Sequence, residues 1–399
     1  MSTLAPILAQ SGWSSLPLGR LAPRIQRAGR PDLPTLSVFL GEGVVPRASR
    51  LDNHNRLGED LAKYLVVQPG DIVFNKLRTW QGGLGVSSHE GIVSPAYFVC
   101  RPRRSVEPRY LHYVLRSAPY LQELTRISKW MPPSQFDISW DQLRMLQVLH
   151  PPLSVQRAIA DYLDSETVRI DALIEKKRRM VEVVRERFQV VIDAVSFSAP
   201  VSAPLKRVAD ISYGLGQPPP LTFEGIPIVR ATNISRGRIS ATDLVFARVE
   251  DIPLKRAPLL MAGEILVVRS GACTGDSALI REDWAGSAPG YDLRLRPFAI
   301  DSRFLAYQLL GRAALDQIDL ASGRAAQPHL NAEDLGEVII RRGTDSTERA
   351  AADLLDREGA RSDSLAGQLG TQIALIAERR DALITAAVTG ELPIPGVAA

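Results

Sequence analysis

Between Gln156 and Phe197, apolar side chains recur at threes, fours and sevens: Ile159, Leu163, Ile170, Ile174, Val181, Val184, Phe188, Val191 and Val195. Charged residues fill most of the other positions. That is the period of one face of an α-helix. No Gly or Pro interrupts it, Ser154 after Pro151-Pro152 offers an N-cap, and Pro200 offers a stop. At 1.5 Å per residue such a helix reaches about 60 Å, too long for a small domain to bury its single stripe. A second stripe, roughly 346–389, carries Leu355, Leu365, Leu369, Ile373, Ile376 and Leu383. Gly359, Gly367 and Gly370 weaken it, each by about 1 kcal/mol against Ala. The natural partner of each stripe is the other, paired as an antiparallel coiled coil. The alternative is that each helix packs only on its own globular part.

Both helical segments follow a stretch of mixed pattern. Asp71-Ile-Val-Phe-Asn-Lys and Glu264-Ile-Leu-Val-Val-Arg read as buried strands led by a Gly turn, and Ile226-Pro-Ile-Val-Arg as another. Tyr110 to Arg116 and Phe304 to Arg312 read as helices, and residues 216–220 with the Pro132-Pro133 pair as loops.

These parallels belong to an internal repeat. Residues 156–173 and 348–365, offset by 192, are identical at ten of 18 positions, among them Asp161/Asp353, Leu163/Leu355 and Asp164/Asp356. Fainter echoes precede them at offsets of 193–195. Pro69-Gly70-Asp71-Ile72-Val73 matches Ala262-Gly263-Glu264-Ile265-Leu266, Arg101-Pro102 matches Arg296-Pro297, and Arg109-Tyr110-Leu111-His112-Tyr113 matches Arg303-Phe304-Leu305-Ala306-Tyr307. The chain reads as one unit of about 190 residues written twice, a variable globular part followed by a more similar helix.

Composition narrows the class. With 399 residues, 45% hydrophobic and 23% charged, the sequence is that of an ordinary globular protein of two or three domains. The two cysteines, Cys100 and Cys273, exclude a disulfide framework, and no Cys/His cluster has metal-ligand spacing. No apolar run approaches the ~18 residues that span a bilayer, and Met-Ser-Thr-Leu does not open a signal peptide, so a cytoplasmic protein is expected. The net charge of +4 is unevenly spread: +7 over residues 1–150, zero over 151–199, +1 over 200–343 and −4 over 344–399. Only the first segment favours a polyanion.

No catalytic constellation emerges. P-loop, HExxH and GxSxG patterns are missing, and GGLG at 82–85 lacks the context of a dinucleotide fingerprint. Glu175-Lys176-Lys177 has the spacing of some nuclease sites but no upstream acidic partner, and reads as a solvated helix face. What stands out is loop chemistry at matching places in the two copies. Asn75–Gly83 and Arg269–Gly275 follow matching strands, and Ser128–Gln135 and Ala321–His329 come later in each copy. Arg and Lys suit guanine O6/N7, Gln and Asn suit adenine N6/N7, and Ser, Thr or Gly amides suit phosphate. The candidate DNA contacts are Lys76, Arg78, Trp80, Gln81, Lys129, Ser134 and Gln135 in the first copy. In the second they are Arg230, Asn233, Arg236, Arg269, Thr274, Arg324 and Gln327. The plainer alternative is ordinary polar turns with Trp80 and Trp130 as core anchors.

The segment HPPLSVQRAIADYLDSETVRIDALIEKKRR resembles the central conserved region of type I restriction–modification specificity subunits, and ERRDALITAAVTGELPIPG resembles their distal region. QPGDIVFNKLRTWQGGLG and GIVSPAYFV resemble parts of their target-recognition domains. The resemblance implies an α+β fold, with two mixed α/β target-recognition domains joined by two long helices paired as an antiparallel coiled coil. Residues 1–150 and 200–343 would be target-recognition domains 1 and 2. Residues 151–199 and 344–399 would be the central and distal spacer helices, the latter with a tail. It also implies a non-catalytic, cytoplasmic DNA-binding subunit of a restriction system active in DNA modification. Each domain would read one half of a bipartite double-stranded DNA target, and the helices would set the gap. Its partners would be two adenine methyltransferase (M) subunits and restriction/translocase (R) subunits, with no membrane. The chain itself would carry no cofactor and no metal; S-adenosylmethionine, ATP and Mg would belong to the partners. The rival from another class is a protein-binding helical scaffold or adaptor without specific DNA readout, which the low charge of residues 200–343 favours.

Overall fold

Four short strands and a pair of helices recur twice along the chain, each time followed by one very long helix. This is the α+β arrangement expected. The computed structural model describes residues 4–49, 58, 60–131, 135–255, 257–323 and 329–394, with Gln135 described by its backbone alone. Two compact units result: unit 1 is Met1–Lys177 with Gln372–Ala399, and unit 2 is Arg178–Thr371.

In unit 1 the central sheet is β1 (Arg24–Ile25), β2 (Ile72–Asn75), β3 (Leu84–Val86) and β4 (Tyr97–Cys100), in the order β1-β4-β2-β3 with every neighbour antiparallel. Alternation along β2 serves two cores. Ile72 and Phe74 pack with Leu111, Leu115 and Leu163, while Val73 packs with Leu36, Val38 and Val93 on the other face. Helices α1 (Pro108–Arg116) and α2 (Ala118–Ile127) follow, then a hairpin of β5 (Lys129–Met131) and β6 (Gln135–Asp137). The chain next enters α3 (Leu153–Ser198), 46 residues without a break. It begins directly after Pro151-Pro152, so Ser154 lies inside the first turn and is not the N-cap the sequence offered. A proline cannot donate within a helix and pushes the residue before it out of helical space, which fixes the start at Leu153.

Unit 2 repeats this plan. Strands β7 (Ala209–Tyr213), β8 (Ile265–Val267), β9 (Ser277–Leu279) and β10 (Leu293–Pro297) stand in the order β7-β10-β8-β9, again antiparallel. Ile72 faces Cys100 across the first sheet and Ile265 faces Leu295 across the second, the same register. Helices α4 (Ser302–Leu310) and α5 (Arg312–Ser322) follow, so the helix read from Phe304 to Arg312 is two helices broken at Gly311. Gly311 has no side chain to cap α5; Asp193 of α3 does so instead, accepting from the amide of Arg312 at 2.8 Å. The last long helix, α6 (Asp345–Thr389), has 45 residues.

The two long helices pair antiparallel inside each unit. In unit 1, Ile159 and Leu163 of α3 share a core with Ile384, Ala387 and Val388 of α6, Asp171 meets Arg380 at 2.9 Å, and Lys177 donates to Gln372 at 2.6 Å. In unit 2, Ile192 packs with Ala352 and Leu355. The glycines expected to weaken α6 leave it continuous. At Gly359 a Cβ would come 3.0 Å from the Phe188 ring, so the missing side chain makes room for an aromatic one.

The repeated residues are those that fasten each sheet and helix. Gly70 and Gly263 both turn the chain with positive φ just before the central strand. The carboxylate that follows staples the turn: Asp71 accepts from the Gln68 amide and Glu264 from the Met261 amide, each at 2.9 Å. Each then pairs with an arginine of the neighbouring strand or its end, Arg101 at 2.7 Å and Arg296 at 3.0 Å. On α1, Arg109 reaches Asp161 and Asp164 at 2.8 and 2.6 Å, and the Tyr113 hydroxyl donates to Asp164 at 2.7 Å. On α4, Arg303 reaches Asp353 and Asp356, both at 2.8 Å, and the Tyr307 hydroxyl donates to Asp356 at 2.7 Å. One Arg–Tyr–Asp–Asp clamp holds each globular part to its long helix. Burial opposes ionisation of Asp356, but Tyr307 and Arg303 outweigh it and hold the carboxyl below its usual range.

Candidate nucleic-acid interface

In unit 1 the loop after β2 is tightly built. The Thr79 hydroxyl donates to the Asn75 carbonyl at 2.6 Å, and the Leu77 amide donates to Asn75 Oδ1 at 3.2 Å. Gly82 takes positive φ, and a Cβ at Gly83 would lie 2.6 Å from the Arg78 carbonyl oxygen, so the chain can return to β3 only through glycine. This turn leaves Arg78 and Gln81 exposed. Lys76 donates to the Pro95 carbonyl at 3.3 Å and lies 4.8 Å from the Phe98 ring centre.

The β5–β6 hairpin is brought against this loop. Phe136 contacts Trp80 at 5.0 Å and Trp130 at 4.9 Å between ring centres, and the Ile138 amide donates to the Lys76 carbonyl at 3.3 Å. Trp80 is half-buried and its indole donates to the Leu77 carbonyl at 3.1 Å; Trp130 is 48% exposed, an edge of the surface rather than a core anchor. Lys76, Arg78, Trp80, Gln81 and the exposed Lys129 therefore share one neighbourhood. Ser134 and the side chain of Gln135 lie outside the described residues.

In unit 2 the matching loop follows β8. Arg269, at the repeat position of Lys76, packs between two rings, 4.7 Å from Tyr213 and 4.4 Å from Tyr291. Its Nη2 donates to His329 Nε2 at 2.7 Å; a guanidinium can only donate, so His329 accepts there. The Leu330 amide donates to the Arg269 carbonyl at 2.8 Å, repeating the tie between Ile138 and Lys76. Behind it, buried Asp292 accepts from the Arg269 amide at 3.3 Å, and burial raises its carboxyl to about 6. Thr274 is turned back on its own loop, donating to the Gly271 carbonyl at 2.7 Å.

The other positions divide. Arg230 is half-exposed and donates to the Asp243 carbonyl at 2.7 Å. Arg236 is exposed at the tip of the hairpin formed by Ile234–Ser235 and Arg238–Ile239; two residues on, Arg238 pairs with Asp363 of α6. Asn233 is 1% exposed. Its amide donates to Ser240 and Thr242 carbonyls at 3.1 and 2.9 Å, and its oxygen accepts from the Arg230 amide at 3.2 Å. Both donors are spent, so Asn233 closes a loop and has no hydrogen left for a base. Arg324 and Gln327 lie outside the described residues.

Sequence reading missed Tyr213, Tyr291 and His329. The two tyrosines stand in Tyr-Gly and Gly-Tyr pairs, a local sign of aromatic rings carried on turns, but only the fold brings them to Arg269. Among the described residues no group of three His, Cys, Asp or Glu side chains could hold a metal ion, and no helix is long and apolar enough to cross a membrane.

No family model matches the chain. It is similar to the specificity subunit of the type I restriction enzyme EcoKI from Escherichia coli K12, at 20% identity over 229 residues. That stretch covers 51% of this chain and 47% of the relative, so the chain matches about half of the relative's length. Among solved structures it resembles a chain from work on complex assembly and conformational transition of a type I restriction–modification system. There the TM-score is 0.72, at 18% identity, covering 96% of this chain and 98% of that one. The two share a fold. The HsdS subunit of Thermoanaerobacter tengcongensis aligns at a TM-score of 0.48 and 18% identity, over 96% of this chain and 97% of its own. The chain thus resembles type I restriction–modification specificity subunits, as its motifs implied.

Proposed function

We propose that this chain is the DNA-specificity subunit of a type I restriction–modification complex. Residues 1–150 and 200–343 each read one half of a bipartite double-stranded DNA target. Residues 151–199 and 344–399 pair as a spacer that sets the unread gap and docks two adenine methyltransferase subunits. Those partners supply S-adenosylmethionine chemistry, flipping an adenine out of each half, and restriction/translocase subunits supply ATP- and Mg-dependent cleavage. The chain itself performs no chemistry.

One observation carries this reading. The duplication runs through sheet order, register, helix clamp and cation-bearing loop alike, so whatever the loops do is done twice on one scaffold. Two short readouts rigidly joined multiply their specificities, and a stiff helical spacer preserves that gain where a flexible linker would lose it. In unit 1 the contacts are assigned to Lys76, Arg78, Trp80, Gln81 and Lys129, where +7 over residues 1–150 favours the phosphate backbone. In unit 2 they are assigned to Arg230, Arg236, Arg269 and Thr274, with Asn233 kept as a loop staple.

The test is co-expression with the neighbouring methyltransferase, followed by single-molecule sequencing of host DNA for N6-methyladenine. A split methylated motif that vanishes when this gene is deleted is the expected result. A stable complex that marks no motif would favour the scaffold reading. Charge reversal at both Arg178 and Arg179 is expected to weaken assembly with the methyltransferase.

A further inference from the structure

Resting on that reading, we propose that unit 2 specifies a guanine in its half-site through Arg269, with Tyr213 and Tyr291 as the specificity-determining residues that hold its guanidinium flat. The two units carry equivalent cations. Lys76 and Arg269 stand at the same point of the same sheet, one residue or two past the central strand, each tied by its carbonyl to the segment that returns beside it. Their side chains differ in kind. An ammonium is a rotatable point charge, whereas a guanidinium is a planar fork that matches two acceptors at once.

The surroundings of Arg269 prepare that fork. Rings centred 4.7 and 4.4 Å away fix its position, and both remain open to solvent, Tyr213 44% and Tyr291 49% exposed. The Tyr213 ring is itself held, its hydroxyl accepting from the Ala332 amide at 3.1 Å. His329 takes one hydrogen of Nη2 on the exposed side. Arg269 Nε is buried. Among the described residues no other group takes a hydrogen of Nη1 or the second of Nη2, which leaves both nitrogens for an end-on bidentate contact. In the major groove, the base edge that offers two neighbouring acceptors, O6 and N7, is guanine. A side chain already ordered by stacking loses little rotamer freedom on binding, so the contact discriminates strongly. Lys76, with its single nitrogen already donating to the Pro95 carbonyl, has no such fork, and the two half-sites are read by different chemistry.

The experiment is the methylated motif of the full chain, co-expressed with its methyltransferase, in wild type, Arg269→Lys, Tyr291→Leu and Tyr291→Phe. Wild type is expected to mark a split motif with a guanine in one half. Arg269→Lys should relax that single position, with discrimination falling tenfold or more, and leave the other half unchanged. Tyr291→Leu should relax the same position, and Tyr291→Phe, which keeps the ring, should not. Should Arg269→Lys fail to assemble, the Tyr291 pair decides. A split motif unchanged at every position by Arg269→Lys and Tyr291→Leu overturns the guanine assignment while leaving the specificity-subunit reading intact. No motif from wild type overturns both.

Discussion

In unit 1 the carboxylate at the head of the central strand, Asp71, holds one arginine, Arg101, whose side chain is 40% exposed. In unit 2 the matching Glu264 holds two: Arg296, and Arg294, which is 4% exposed and donates to both Glu264 oxygens and to the carbonyls of Pro258 and Leu259. A similar contrast recurs along the neighbouring strand. Where unit 1 has Tyr97 opposite Asn75, unit 2 has Asp292, buried and facing Arg269. On the following helix, unit 1 has the half-buried His112, its Nδ1 closed off from solvent, where unit 2 has Ala306. The clamps to α3 and α6 meanwhile share the same four residue types. The two units share the Arg–Tyr–Asp–Asp clamp where they hold the helices, with Arg281 added beside Asp356 in unit 2, and place different charges inside their sheets, so they should be held to the helices alike and differ in how they respond to mutation and pH.

The largest expected difference lies in the buried ion pair. Glu264→Ala strands Arg294 in a sealed site and should cost about 3–5 kcal/mol, whereas Asp71→Ala releases a half-exposed arginine and should cost about 1–2 kcal/mol. Hydrogen exchange of peptides from each unit of the full chain measures both; equal costs would break the comparison. Next comes acid. Burial, then Arg116, lowers His112 to about 4, so at neutral pH it is uncharged in both folded and unfolded chains. As pH falls below the ordinary 6.5, the unfolded chain takes a proton that the folded one refuses. Unit 1 should therefore lose about 2 kcal/mol by pH 5, and His112→Gln should remove that loss. Unit 2 carries the opposite slope. With Asp292 raised to about 6 by burial, the folded form binds its proton more tightly, so stability rises as pH falls from 6 towards 4. Asp292→Asn should stabilise unit 2 by about 1–2 kcal/mol at pH 7, and the gain should disappear near pH 4. The smallest effect sharpens the similarity: Arg109→Ala and Arg303→Ala, both partly exposed, should each cost about 1 kcal/mol, alike within error in chemical denaturation.

The parts legible in the sequence were those whose chemistry is local or repeated. Asp161 and Asp164 recur as Asp353 and Asp356 because each pair sits one helical turn apart and meets the same arginine and tyrosine. The Gly–carboxylate–strand motif recurs because one turn and one staple build both central strands. Buried strands and long stripes followed from periodicity alone. What stayed hidden depended on distant partners. Asn233 looked like a base reader by residue type, and only its contacts with Ser240 and Thr242 reveal a loop staple. Tyr213, Tyr291 and His329 meet Arg269 across 56, 22 and 60 residues, a separation no local pattern encodes. The start of α3 moved because proline geometry outweighed an available serine cap.

Unit 2 is a single stretch of chain, Arg178–Thr371, while unit 1 takes its two pieces from either side of it. The core around Leu111 and Leu163 is completed by Ile384, Ala387, Val388 and Ile394. During translation the first globular part is therefore made first but finished last. It must leave the ribosome with an open apolar face and wait for nearly two hundred further residues to be made before α6 returns to cover it. The later-born unit can fold while the earlier one waits, reversing the usual N-terminal-first order and marking the α3 end of unit 1 as the surface most in need of a chaperone.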